Sequence, residues 1–307
     1  MASDWYLKTS SNWKLVNNAF VKVSGSWKEI QEGYIKVSGA WKQFYQAFVA
    51  TAFVTQTSNT TIVVPDGANA LHVQAAVGGG ASGVSGAEYD KSGGESGGTG
   101  GGSGGYVSDQ VYSVTEGEAL TFTIGVGGTN SQLGSYPNFR GEDGTATTLS
   151  GTTTGTIFTL NGGGAGGSSG GSSPNGSVRN NTASSGGSAT VNASVLTSGN
   201  FKESDGSAAS IPSASTLTQG PVGSYNQSGS GVAGVTGQNC SGDNCQIAGK
   251  NGGASYAGNI AGGTGRFGST GDAGTRGSGG GGGGAQPQSS GGAGGTGEIR
   301  YRFLRVQ

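Results

Sequence analysis

Glycine occupies every third position from Gly262 through Gly265, Gly268, Gly271, Gly274, Gly277 and Gly280 to Gly283. A strict three-residue glycine period limits what this stretch can fold into. A collagen triple helix shows the same period, but it fills the other two positions largely with proline. Here those positions hold Arg266-Phe267, Ser269-Thr270, Asp272-Ala273 and Thr275-Arg276, and the chain carries 6 Pro against 68 Gly. Collagen is therefore excluded. Two readings remain: a disordered Gly/Ser-rich linker, which buries too little surface to fold, and a packed structure whose interior is backbone.

Charge narrows the function classes. The chain has 16 basic and 17 acidic residues, a formal charge of −1, and only 11% charged residues. A nucleic-acid surface needs a basic stripe, and this chain has none. Met1-Ala2-Ser3-Asp4 lacks the basic and apolar regions of a secretory signal. No run approaches 18 apolar residues, so membrane insertion is not expected. A single histidine, His72, and two cysteines, Cys240 and Cys245, cannot assemble a zinc quartet or a histidine-based catalytic triad. No cofactor and no enzymatic activity are expected. His72 lies in the alternating run Leu71-His72-Val73-Gln74-Ala75 and is expected to face outward from a strand. Cys240 and Cys245 either clip the CSGDNC loop as a disulfide or stay as free thiols.

The first fifty residues hold a repeat of period 14: YLKTSSNWKLV from Tyr6, FVKVSGSWKEI from Phe20 and YIKVSGAWKQF from Tyr34, with Phe48-Val49 opening a fourth copy. Trp13, Trp27 and Trp41 recur in register, each followed by Lys14, Lys28 or Lys42, and Lys8, Lys22 and Lys36 also align. Each unit is expected to be a β-hairpin, with aromatic and β-branched residues flanking a Ser-Gly turn. Gly25 and Gly39 supply the positive φ of a tight turn, and Ser11-Asn12 stands there in the first copy. A buried Trp removes 150–250 Å² from water, worth roughly 4–6 kcal/mol. The Trp residues either form this module's own core or cap a threefold partner, giving each of its subunits an equivalent site. The recurring Lys either suits an acidic fibre end or solvates the outer face.

From Thr51 the pattern becomes that of a small β-domain. TTIVVPDGANALHVQAAVGGG predicts two strands about the turn at Pro65-Asp66-Gly67. GGYVSDQVYSVTEGEALTFTIGVGG predicts two more, and GTIFTLNGGG another. The chain ends on the alternating strand EIRYRFLRV from Glu298, so the glycine tract leaves a β-domain and returns to it. The order VPDGANALHVQAAVGGG, GGY…V, GEALTFTIGVGG resembles the glycine-rich domain of phage tail-fibre proteins. The tandem KVSGxWK units resemble repeats of phage tail-tip proteins. Together they resemble the tip adhesins of T-even-type long tail fibres. That resemblance implies an N-terminal fibre-attachment part and a C-terminal glycine-rich receptor-binding part. It further implies location on the virion at the fibre tip, one adhesin per trimeric tail-fibre protein, and a receptor that is a bacterial outer-membrane protein or surface glycan.

An extended helix with three residues per turn and about 3.1 Å rise makes no internal hydrogen bonds. Glycine lets such helices approach until they bond to one another, so that the backbone is satisfied between helices. Seven tracts suit this polyglycine II bundle, from 78–86 through 262–283 to 291–297. The 262–283 run would span about 65 Å if straight and is expected to fold back near Arg266-Phe267. Specificity would then reside in the interrupting loops. Those carry Tyr89 and Asp90; Tyr136, Phe139 and Arg140; Phe201; Tyr225; and Arg266 with Phe267. Each is a contact candidate or an aromatic covering the bundle edge, and Tyr and Arg are over-represented at binding hot spots.

The expected architecture is all-β or irregular. It has a fibre-attachment module of hairpin repeats at 1–50, with Trp13, Trp27, Trp41, Phe20, Tyr34 and Phe48 as contacts. A β-domain follows at 51–77, with returning strands in 105–160 and 298–307, and a polyglycine II receptor-binding region at 78–297. The alternative is a polyglycine-bundle structural or ice-binding protein, which would want a flat, regular Thr/Ala face.

Overall fold

The computed structural model describes residues 6–9, 12–15, 20–30, 32–46, 48–85, 95–96, 98–129, 132–133, 138–169, 183–197, 200–202, 208–210, 228–229, 239–240, 251–254, 261–266, 270–282 and 290–306. Among these the chain is all-β, and its one helical element is a 3-10 turn at Ala193–Val195. Six strands form the N-terminal hairpins: β1 (Tyr6–Thr9), β2 (Asn12–Leu15), β3 (Phe20–Val23), β4 (Ser26–Glu29), β5 (Glu32–Val37) and β6 (Ala40–Gln46). Then come β7 (Val54–Gln56), β8 (Thr60–Val63), β9 (Ala70–Val77), β10 (Glu95–Ser96), β11 (Tyr106–Ser113), β12 (Ala119–Thr123), β13 (Asn138–Arg140), β14 (Thr147–Gly151) and β15 (Gly155–Leu160). The last are β16 (Gly167–Ser169), β17 (Ala189–Val191), β18 (Asn200–Lys202), β19 (Ala208–Ser210), β20 (Ser228–Gly229), β21 (Asn239–Cys240) and β22 (Glu298–Leu304).

Two five-stranded antiparallel sheets hold the core, in the orders β20-β11-β9-β22-β7 and β17-β15-β14-β12-β8. Strand alternation sends Leu71, Val73, Tyr112, Ile299 and Tyr301 from the first sheet against Leu120, Phe122, Leu149, Phe158 and Leu160 from the second. Fully burying one such side chain contributes roughly 1.5–3 kcal/mol. Two aromatic pairs tie the sheets, Tyr112–Phe158 at 5.8 Å and Phe122–Tyr301 at 4.8 Å between centroids. The closing strand β22 lies between β9 and β7. Both ends of the long glycine-rich tract are therefore anchored in one sheet.

Glu118 staples two turns of the second sheet. It is buried and accepts hydrogen bonds from the amides of Thr115, Thr153 and Thr154 and from the Thr154 hydroxyl. His72 departs from its expected exposure. It does point away from the sandwich core, but that outer side is itself covered, and the residue is 8% exposed. Arg302 Nε donates to Nδ1 at 3.2 Å, Asp109 Oδ1 lies 3.3 Å from Nε2, and the Phe53 ring packs edge-on at 5.3 Å. A ring nitrogen that accepts from arginine carries no proton, so the other nitrogen is the one that donates to Asp109.

The glycine tracts run out from the sheets as a backbone lattice. Along residues 78–84 the amides point to three neighbours in rotation. Gly78, Ala81 and Val84 donate to Gly105, Gly102 and Thr99; Gly79 and Ser82 to Thr145 and Glu142; Gly80 and Gly83 to Gly295 and Gly292. The carbonyls of Gly79, Gly80 and Ala81 accept from Gly163, Gly128 and Gly280. Six segments thus surround this one, and the direction of bonding repeats every three residues. Close approach demands glycine: a β-carbon on Gly80 would run into the carbonyl of Ser278, and one on Gly83 into that of Gly281.

The period-three run at 262–283 reverses twice. Asp272 N donates to Thr264 O at 2.9 Å and Gly281 N to Asp272 O at 2.9 Å. The first reversal falls between the passes at 261–266 and 270–275, where the sequence leads one to expect it; Phe267 lies outside the described residues. The second is a tight turn at Arg276 (φ 47) and Gly277 (φ 74), closed by Ser278 N to Thr275 O at 2.9 Å. The 65 Å straight span is thereby replaced by short antiparallel passes. Strands β7, β10, β13, β14 and β16 to β21 were not legible as strands: apart from β14, each has only two or three residues, too few to show an alternation.

Candidate functional site

Two surfaces carry the candidate residues. The first is the hairpin module, where β1-β2, β3-β4 and β5-β6 form three separate two-stranded sheets. Ser24 (φ 50) with Gly25 (φ 84) and Ser38 (φ 51) with Gly39 (φ 85) all take left-handed conformations, the two-residue turn that matches strand twist. In the first copy Thr9 pairs with Asn12. The connecting residues are therefore Ser10 and Ser11, and Asn12 belongs to the strand rather than to the turn.

Register sets what each hairpin face presents. Lys22 pairs with Trp27 and Lys36 with Trp41, and each ammonium sits 5.9 Å from the indole centroid. Trp27 and Trp41 are each 69% exposed, and Phe20 and Tyr34 are exposed beside them. Among the described residues, no hydrophobic core cluster includes these rings. Trp13 takes the same register opposite Lys8, although its side chain lies outside the described ones. The opposite faces bring out Val21 and Val23 in one hairpin and Ile35 and Val37 in the next, all exposed. These four escaped notice in the sequence, although the alternation of the repeat displays them. Phe48 is placed differently: it packs half-buried against the sandwich core.

The second surface is the end of the lattice farthest from the sheets. Bonding order fixes which end that is, because Gly78, Gly105 and Gly297 adjoin the strands while Val84 and Thr99 lie beyond them. Arg140 is exposed on β13 and pairs with Asp143 at 2.9 Å, whose other oxygen accepts from Ala165 N at 2.8 Å. Phe139 is half-buried beside it. Arg266 grips Asp272 with two bonds, at 3.0 and 2.6 Å. That hydrogen bond holds the Asp272 carboxyl below its usual range and raises the Arg266 guanidinium. Asp143 stands in the sequence as half of the adjacent acidic pair Glu142-Asp143, whereas Asp272 was missed and no spacing signal marks it.

Tyr89, Asp90, Tyr136, Tyr225, Phe267 and Cys245 lie outside the described residues, and the side chain of Phe201 does so as well. Cys240 lies on β21, paired with Glu95. Among the described residues no cluster of His, Cys, Asp or Glu could hold a metal ion, and no helix is long and apolar enough to cross a membrane. A family model described as a glycine-rich domain matches residues 54–304. No curated protein matches the chain.

Proposed function

The chain belongs to the glycine-rich domain family, and on that premise we propose that it is a bacteriophage receptor-binding adhesin at the distal tip of a trimeric long tail fibre. The N-terminal hairpins seat it on the fibre. The glycine tracts are polyglycine II helices, and the loops joining them at the far end bind a bacterial outer-membrane protein or surface glycan without chemistry. One observation carries this reading: the three-way rotation of hydrogen bonds along residues 78–84. A three-residue helix surrounded by its own kind satisfies its backbone without side chains. Side-chain variety is then free to concentrate in the loops, where it sets specificity.

The test is adsorption of the purified chain to intact bacteria, compared across strains lacking single outer-membrane proteins or surface glycans. Loss of binding in one deletion strain supports the reading. Equal binding to all strains, or to none of a broad panel, removes it.

A second reading, an ice-binding protein on the same lattice, draws on one feature of the second sheet. Thr190, Thr159, Thr148 and Thr123 fall in one cross-strand row, and Thr61 pairs with Thr121 in the next. Thermal hysteresis of the full chain separates the readings. A hysteresis gap favours ice binding, and freezing and melting at one temperature excludes it.

A further inference from the structure

Resting on the fibre-tip reading, we infer that each N-terminal hairpin is a tongue that slots into the groove between two chains of an acidic three-chain partner. The alternative geometry is a pad lying flat on one surface. Exposure decides between them. In the second hairpin Phe20 and Trp27 are exposed on one face while Val21 and Val23 are exposed on the other. A pad would cover one face and leave the other apolar face in water, whereas a groove covers both. A lone two-stranded hairpin is marginal in water, so enclosure also supplies the packing it lacks.

Copy number and chain length fix the partner's shape. Three hairpins of one sequence pattern call for three equivalent grooves, which three chains about an axis provide. The connection from Glu29 to Glu32 reaches at most about 11 Å, and that from Leu15 to Phe20 about 18 Å. The three grooves must therefore open close to one axis, as they do at the end of a slender fibre. Charge fixes the chemistry. Residues 1–50 hold six Lys against Asp4, Glu29 and Glu32, a net of +3, which leaves −4 for the remainder of a chain of net −1. Lys22 and Lys36 project from the tryptophan faces, Lys28 and Lys42 from the valine and isoleucine faces, and all four are exposed. Both walls of each groove are then acidic.

The test uses the full chain and the tail-fibre protein encoded in the same genome, with affinity measured on immobilised fibre at low and physiological salt. Lys22→Glu with Lys36→Glu, and separately Lys28→Glu with Lys42→Glu, should each weaken binding by about tenfold or more, most strongly at low salt. The corresponding Lys→Arg pairs should bind as the parent does, and unfolding midpoints should be unchanged in all four variants. Loss from one lysine pair alone overturns the groove in favour of a pad. Loss from neither overturns the acidic partner. Salt-sensitive multimers of the chain alone, seen by light scattering, would make a second copy the occupant and overturn the inference. The fibre-tip reading fails separately, and the inference with it, if the parent chain does not bind the fibre or if Trp27→Ala with Trp41→Ala binds undiminished.

Discussion

At the scale of single residues, glycine does two different jobs in this chain. Gly39 has φ 85 and open space where a β-carbon would stand, whereas Gly80 meets the backbone carbonyl of Ser278. Gly39→Ala should therefore cost about 1–2 kcal/mol from left-handed strain alone and leave the sandwich untouched. Gly80→Ala must push two backbones apart, at about 1–3 kcal/mol or more. Calorimetry on both variants checks the contrast: only Gly80→Ala should lower the main transition. Glu118 shows the electrostatic counterpart. Burial alone would raise its pKa, but the hydrogen bonds from the Thr154 hydroxyl and from the amides of Thr115, Thr154 and Thr153 outweigh burial and lower it. A lowered folded value means that the stabilisation is fully present above the unfolded glutamate value of about 4.3 and is lost as pH falls through the folded value. Glu118→Gln should thus melt below the parent at neutral pH, with the gap closing in acid. A constant gap across that range would show that the carboxylate charge contributes nothing.

At the scale of elements, the hairpins and the sandwich strands were legible because their side chains alternate, and alternation is a property of adjacent residues. The hairpin period, the turns at Gly25, Gly39, Gly67 and Gly117, and the strands β9, β11, β12, β15 and β22 all follow from local pattern. What local pattern cannot give is the neighbour across space. The covering of His72 depends on Asp109 and Arg302, brought there by β11 and β22, and on Phe53, which just precedes β7. The fold-back expected near Arg266-Phe267 does fall between the passes at 261–266 and 270–275, but no spacing announces that it sets Asp272 against Arg266. Phe48 continues the repeat in sequence yet packs against the sandwich core, beside the turn at Gly67. The hairpins' isolation yields its own measurement. All four Trp fall within the first 41 residues, so tryptophan fluorescence reports on this module alone. Trp27→Phe with Trp41→Phe should remove an emission component that acrylamide quenches freely, given the exposure of both rings. If the lost component is instead shielded from quencher, those faces are covered in solution.

At the scale of the whole molecule, backbone hydrogen bonds hold the lattice together. Residues 78–84 and 277–282 bond to neighbours on every side, and those bonds depend on main-chain atoms that no loop sequence supplies. The closure entropy of a surface loop changes only slowly with its length, by about 0.6 kcal/mol per doubling. On the adhesin reading, recognition falls to stretches such as 86–94, which carries Tyr89 and Asp90. Replacing 86–94 by a Gly/Ser segment of equal length should leave the unfolding midpoint within about 2 °C of the parent, the shift that a few tenths of a kcal/mol produces in a domain of this size. Amide exchange at Gly80, Ala81 and Ser82 should stay slow, as expected for amides that open only with the core. On the adhesin reading, adsorption to bacteria should fall or change its host range. A variant that melts early and exchanges fast would show that the stretch is part of the scaffold. One that is stable and adsorbs like the parent would exclude 86–94 from recognition and leave it to the loops around Arg140 and Arg266.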